Sequence, residues 1–195
     1  LRLNQRRLTD SGCCTLPWWA PDSSRVLFID RRAGDAQAAI YALPVEGGKP
    51  VKQGDRPMVF SADGSLAAYP QGDRTIVVRM TDQKQWVIPS DGRAIRFSPS
   101  GRLIAWEEGT RGIAHPDLRQ AAIWVADPDG AHARMVVSTV GGGFVGWTAG
   151  EAAVLLTGTP VGQTQAGLWR VDLSSDQLAL IRAADDIRDP LVSPD

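Results

Sequence analysis

The sequence has little of what small proteins use for cross-links, metal sites or proton transfer. Its 195 residues include two cysteines, the adjacent Cys13 and Cys14, and two histidines, His115 and His132. Neighbouring cysteines cannot staple distant loops together, and a vicinal bridge would strain the peptide between them. They are therefore read as two ordinary thiols in a loop. No Cys-x-x-Cys pair occurs, and histidines 17 positions apart without further ligands do not make a zinc site. Neither sign of charge is in surplus: 21 Lys and Arg stand against 22 Asp and Glu. The cationic footprint that phosphate-backbone binding needs is missing, so no nucleic-acid partner is expected. No stretch approaches the roughly 18 to 20 consecutive apolar residues of a helical membrane span. The first ten residues, Leu1 to Asp10, are polar and basic instead of signal-like. Opening on Leu1 without a methionine suggests a processed or excised piece.

What the chain does have is 43% hydrophobic content, enough for a large apolar core, and repetition. A short pattern recurs: an apolar or aromatic residue, a tight turn, then an apolar strand. It reads Trp19-Ala-Pro-Asp-Ser-Ser-Arg-Val-Leu-Phe28, Phe60-Ser-Ala-Asp-Gly-Ser-Leu-Ala-Ala-Tyr69 and Phe97-Ser-Pro-Ser-Gly-Arg-Leu-Ile-Ala-Trp106. A worn copy follows at Trp147-Thr-Ala-Gly-Glu-Ala-Ala-Val-Leu-Leu156, and a fifth begins at Val192-Ser-Pro-Asp195. The leading residues lie 41, 37, 50 and 45 positions apart, the length of a four-stranded blade. Ser or Asp at the first corner, Pro at the second and Gly at the last suit a type I turn between antiparallel strands.

A second pattern marks third strands: Ala38-Ala-Ile-Tyr41, Thr75-Ile-Val-Val78, Ala121-Ala-Ile-Trp124 and Ala166-Gly-Leu-Trp169. Turns at Gly47-Gly48, Asp82-Gln83, Asp129-Gly130 and Ser174-Ser175 lead into fourth strands such as Arg134 to Ser138. Pro116 followed by Asp-Leu-Arg-Gln-Ala-Ala is good helix chemistry, but the repeat alignment favours a strand from about Ala121. The expected architecture is all-β, a β-propeller of four-stranded antiparallel blades over 15–52, 56–88, 93–138 and 143–182. Residues 1–9 would be the last strand of a preceding blade and 187–195 the first strand of a following one. A propeller left unclosed exposes sheet edges, so the chain is expected to self-associate through them or to be part of something longer.

These spans resemble the PD40 or WD40-like repeats of TolB-like propellers. Ala62, Ser100 and the degenerate fourth copy depart from their Ser-Pro-Asp-Gly pattern. The resemblance implies architecture, not activity. It also implies an extracytoplasmic, envelope-associated setting and a protein or peptide partner. A similar repeat forms the substrate gate of prolyl-oligopeptidase-like serine peptidases, whose catalytic domain would lie outside this chain.

Catalytic signatures do not assemble. No Gly-x-Ser-x-Gly nucleophile turn occurs, and both histidines fall in expected loops. Gly141-Gly-Gly143-Phe-Val-Gly146 has dinucleotide-loop spacing but leads into a first strand, not a helix, so it is read as close backbone packing. Asp127-Pro-Asp129-Gly130 lacks the remaining ligands of a calcium loop and is read as a turn. The seven tryptophans are read as packing between blade faces. No catalytic residue, cofactor or metal is assigned.

Arginine is placed more suggestively. Arg56, Arg93 and Arg188 each lie four residues before a repeat anchor, with Asp55, Asp91, Asp186 and Asp189 beside them. There an outer strand returns to the next inner strand, near a channel mouth. Such charge could hold an anionic ligand or a partner's acidic side chain, or pair internally. Connections between second and third strands are expected on the same face, over Asp30–Gln37, Pro70–Arg74, Glu107–Gln120 and Thr157–Gln165. The longest carries Glu107, Glu108, Arg111, His115, Asp117 and Arg119, a polar mixture suited to partner recognition.

Overall fold

The computed structural model describes residues 15–20, 24–32, 38–54, 58–109 and 119–183. Among them there is no helix, and sixteen strands form four consecutive antiparallel meanders. The first comprises β1 (Thr15–Trp19), β2 (Arg25–Asp30), β3 (Ala39–Pro44) and β4 (Val51–Gly54). The second comprises β5 (Val59–Phe60), β6 (Leu66–Gln71), β7 (Arg74–Arg79) and β8 (Gln85–Ile88). The third comprises β9 (Arg96–Phe97), β10 (Ile104–Gly109), β11 (Gln120–Ala126) and β12 (Arg134–Val140). The fourth comprises β13 (Phe144–Trp147), β14 (Ala153–Pro160), β15 (Gly167–Asp172) and β16 (Leu178–Ala183). Each repeat anchor, Trp19, Phe60, Phe97 or Trp147, is the last residue of a first strand.

The serine of the repeat has a specific task at the first turn. Ser61 and Ser98 are buried, and each carbonyl accepts the N–H of the residue three ahead, Gly64 and Gly101, at 2.9 Å. Their hydroxyls accept backbone N–H groups five residues ahead, Leu66 at 2.9 Å and Leu103 at 3.1 Å. Thr148 does the same for Ala153 at 3.2 Å. A side-chain hydroxyl thus satisfies an amide at the entry to the second strand, which the turn would otherwise orphan. The fourth turn residue needs a left-handed backbone: φ is 71° at Gly64, 74° at Gly101 and 57° at Glu151. The fourth copy therefore keeps the geometry with glutamate where glycine is favoured.

The second pattern also has a structural meaning. The pairing of third and fourth strands slips at Ile40/Tyr41, Ile123/Trp124 and Leu168/Trp169, a bulge repeated at the aromatic of the motif. Those aromatics pair with second-strand residues. Tyr41 stacks on Phe28 at 5.9 Å, and Trp124 on Trp106 at 6.0 Å.

The described residues fall into two compact units, one ending at Met58 and one beginning at Val59. The first has a core of Phe28, Ala39, Tyr41 and Leu43. The second has two cores, set by alternation along its third meander. Ile104, Trp106 and Ala126 join Ala68, Val77 and Ile88 of the second meander, with Ile95 between. Ala105, Ile123 and Val125 join Trp147, Val154, Leu156, Trp169 and Val171 of the fourth. Residues one apart face opposite ways, so a sheet buried on both sides reads as an almost unbroken apolar run. The ends of β12 and β14 also pair, at Thr139–Pro160 and Val140–Thr159.

All four connections are shorter than expected, the first because Asp30 belongs to β2. Pro70 and Gln71 belong to β6, Thr157 to Pro160 belong to β14, and Glu107 to Gly109 belong to β10. Pro70 is tolerated because β5 pairs with β6 only at Ala67 and Ala68, leaving no inner ladder at Pro70 that needs its missing N–H. Polar residues misled the sequence reading at Glu107 and Glu108, where strand pairing with Ile123 and Ala122 continues.

Candidate functional site

The second meander returns to the third through Ser90 to Arg93. Asp91 (φ 54°) and Gly92 (φ 69°) tighten this turn, and Arg93 N–H donates to the Ser90 carbonyl at 2.9 Å. A side chain at Gly92 would overlap the Gly72 carbonyl, so the return lies directly on the β6–β7 hairpin. Thr75 and Ser90, both buried, fasten it: the Thr75 hydroxyl donates to the Arg93 carbonyl at 2.7 Å, and the Ser90 hydroxyl donates to Thr75 Oγ1 at 2.8 Å. The Arg93 backbone is thereby fixed, leaving its side chain to reach forward.

It reaches the end of β10. A side chain at Gly109 would begin 3.5 Å from an Arg93 terminal nitrogen, 3.2 Å from Arg119 Nε and 3.3 Å from an Arg119 terminal nitrogen. Two guanidinium groups therefore border the space beside Gly109. Arg119 precedes β11, and its carbonyl accepts the Gly141 N–H at 3.0 Å, tying it to the next return.

One carboxylate enters this cluster. Glu107 lies two residues before Gly109, on the same face of β10, with Oε1 3.8 Å from an Arg119 terminal nitrogen. Its Oε2 accepts the Phe144 N–H at 3.0 Å, and a side chain at Gly143 would overlap it. Arg96, on β9, lies over the Phe144 ring at 5.9 Å. Burial lowers the Arg96 pKa, and the Glu107 charge opposes that shift. Three guanidinium groups and one carboxylate thus share the rim of the third and fourth meanders.

Of the residues expected to bind a partner, the structure brings Arg93 and Arg119 together. Glu108 is not with them: it faces the other side of β10, where its Oε1 accepts the Trp106 indole N–H at 3.0 Å. Arg56, Arg111, His115, Asp117 and Arg188 lie outside the described residues, as do Cys13 and Cys14. Arg96 was missed by the sequence reading, although its place immediately before the anchor Phe97 puts it on a first strand. The close-packing reading of Gly141 to Gly143 fits, since a side chain at Gly142 would overlap the Thr157 carbonyl. His132 is an exposed turn residue whose Nδ1 lies 2.7 Å from Asp127 Oδ2. That contact raises its pKa. Among the described residues no group of three or more His, Cys, Asp or Glu could hold a metal ion, and no helix is long and apolar enough to cross a membrane.

No protein-family model matches the chain, and no curated protein matches it by sequence. Among solved structures it is similar to TolB from Acinetobacter baumannii, with a TM-score of 0.55 at 14% identity over 82% of this chain and 41% of that one. A structure described as a TolB of Agrobacterium tumefaciens gives 0.55 at 17% identity over 89% and 68%. An acylaminoacyl peptidase in complex with Z-Gly-Gly-Phe-chloromethyl ketone gives 0.53 at 11% identity over 87% of this chain and 32% of the enzyme. The chain spans about two fifths of the first TolB and about two thirds of the second. At these identities the likeness is one of fold, and with the meanders described above it makes this chain a TolB-like β-propeller in fold.

Proposed function

We propose that this chain is a non-catalytic binding module that docks a protein or peptide partner. The docking face is the one carrying the second-to-third-strand connections and the returns between blades. The observation that carries the reading is the convergence of Arg93 and Arg119 on Gly109. Two half-buried guanidinium groups that meet beside a residue with no side chain, and donate no hydrogen bond among the described residues, are a recognition feature. The extracytoplasmic setting belongs to the same reading and is supported by the resemblance of the repeats to those of TolB-like propellers. A peptidase-gating role would rest on the fold alone, and no residue described here favours it.

Selection from a displayed random peptide library on the immobilised chain tests the docking face. Binders should lose affinity when Arg93→Glu and Arg119→Glu are combined, and should tolerate Lys84→Glu on the short-turn face. Binders lost on Lys84→Glu but not on the double reversal would place docking on the opposite face.

A further inference from the structure

We infer that the Gly109 platform is a carboxylate subsite, in which Arg93 and Arg119 together take one carboxylate of the docked partner. The inference rests on the docking reading and gives it a chemistry.

Gly109 is the first support. Its φ is not positive, and it sits in regular register opposite Ala121, so the backbone there has no need of glycine. What the position offers is an open flank, and guanidinium nitrogens from two elements far apart in sequence come within contact distance of it. Terminal nitrogens of Arg93 and Arg119 lie 3.5 Å and 3.3 Å from the same point, so they are no more than roughly 7 Å apart. That is a span one carboxylate bridges with an oxygen to each.

Hydrogen-bond accounting is the second. Arginine has five N–H donors, yet among the described residues neither guanidinium donates a hydrogen bond. Glu107 is shared, with Oε2 accepting the Phe144 N–H and its charge facing Arg96 as well. At 3.8 Å its Oε1 gives Arg119 an ion pair without a hydrogen bond. Like charges held this close repel, and an incoming anion relieves that. Because Glu107 already brings one negative charge, a monoanionic planar carboxylate fits better than a dianionic phosphate.

The source of the carboxylate is an Asp or Glu side chain or a chain terminus, and titration of the full chain with blocked pentapeptides separates them. The probes are acetyl-Gly-Gly-Asp-Gly-Gly-amide, acetyl-pentaglycine with a free carboxylate, the Asn analogue of the first, and its phosphoserine analogue. The readout is the Nε–Hε resonances of Arg93 and Arg119. Saturable shifts are expected with at least one carboxylate peptide, with the Asn analogue at least about tenfold weaker. Arg93→Ala and Gly109→Val should each weaken binding about tenfold or more. If those variants fail to fold, the wild-type chain still decides, because the carboxylate shifts must weaken between 50 and 300 mM salt and the Asn shifts must not, about as screening requires. Equal response to Asp and Asn peptides, or preference for phosphoserine, overturns the subsite. Library binders that need the rim but no acid would retain docking and remove this inference, whereas carboxylate binding without any rim-dependent library binder would do the reverse.

Discussion

Glu151 offers a sharp test of how adjacent blades are coupled. It occupies the turn position where Gly64 and Gly101 stand in other repeats, and its φ of 57° is unfavourable for a residue with a Cβ. That conformation costs about 1 kcal/mol. The compensation lies in the neighbouring blade, where the Glu151 carboxylate accepts the Ser100 N–H and, at 2.7 Å, the Ser100 hydroxyl, with Arg102 3.6 Å away. Hydrogen bonds to a charged group contribute about 1.5 to 3 kcal/mol each when enclosed, and the Arg102 side chain is 81% exposed and adds little. A latch worth about 2 kcal/mol after solvent screening is expected. Glu151→Ala loses the latch and keeps the strain, costing about 2 kcal/mol; Glu151→Gly loses both and costs about 1. Guanidinium titrations at pH 7 followed by tryptophan fluorescence measure the order. Burial opposes ionisation of Glu151, but the bonds from Ser100 and Ser98 and the charge of Arg102 outweigh it, so its carboxyl ionises below the usual value of 4.5. The latch is therefore complete above that value, and the Glu-to-Ala difference should vanish as pH falls through the depressed one. Glycine as damaging as alanine, or a difference that survives acidification, would refute the reasoning.

Trp147, 6% exposed, and Phe60, 41% exposed, are equivalent repeat anchors, so Trp147→Ala should cost about 3 to 5 kcal/mol and Phe60→Ala about 1 or less in the same titration. Equal losses would mean that the repeat position, not burial, decides. Thr75→Val removes a buried hydroxyl bonded to Arg93 and Ser90 and should cost about 1 to 2 kcal/mol while weakening acidic-peptide binding at the rim. Serine hydroxyls and backbone amides hold the turn carboxyls of Asp63 and Asp172 at about 2, below the ordinary 3.8. Their stabilisation is present above 3.8 and lost as pH falls through about 2, so Asp63→Asn with Asp172→Asn should flatten that acid limb of the stability curve.

Much of the fold was legible because its devices are local. Ser61 and Ser98 act within five residues of themselves, and the aromatic of the third-strand motif marks its own bulge. The worn fourth copy was harder to read, since Glu151 meets a conformational demand that glycine usually meets, and its reward comes from Ser100, 51 residues away. Strand ends were misjudged where polarity masked pairing. Glu107 and Glu108 look like loop residues, but alternation sends one to the rim and the other to an indole. For the same reason Arg93 was found by counting from an anchor and Arg119 by loop composition, while their meeting required the register that places Gly109 between them.

The way Arg93 is held separates its role from the stability of the blade. Thr75 and Ser90 bond to its carbonyl and Ser90 to its N–H, all backbone groups that any residue but proline supplies. Its guanidinium donates no hydrogen bond among the described residues and lies beside a second cation. Removing the side chain therefore deletes a repulsion and no hydrogen bond among the described residues, while the return keeps its anchor. Arg93→Ala should leave the unfolding free energy within about 0.5 kcal/mol of wild type, or raise it, while weakening carboxylate-peptide binding about tenfold. Calorimetry and peptide titration on one preparation measure both. A loss above about 2 kcal/mol with unchanged peptide affinity would show that Arg93 supports the return and takes no part in recognition.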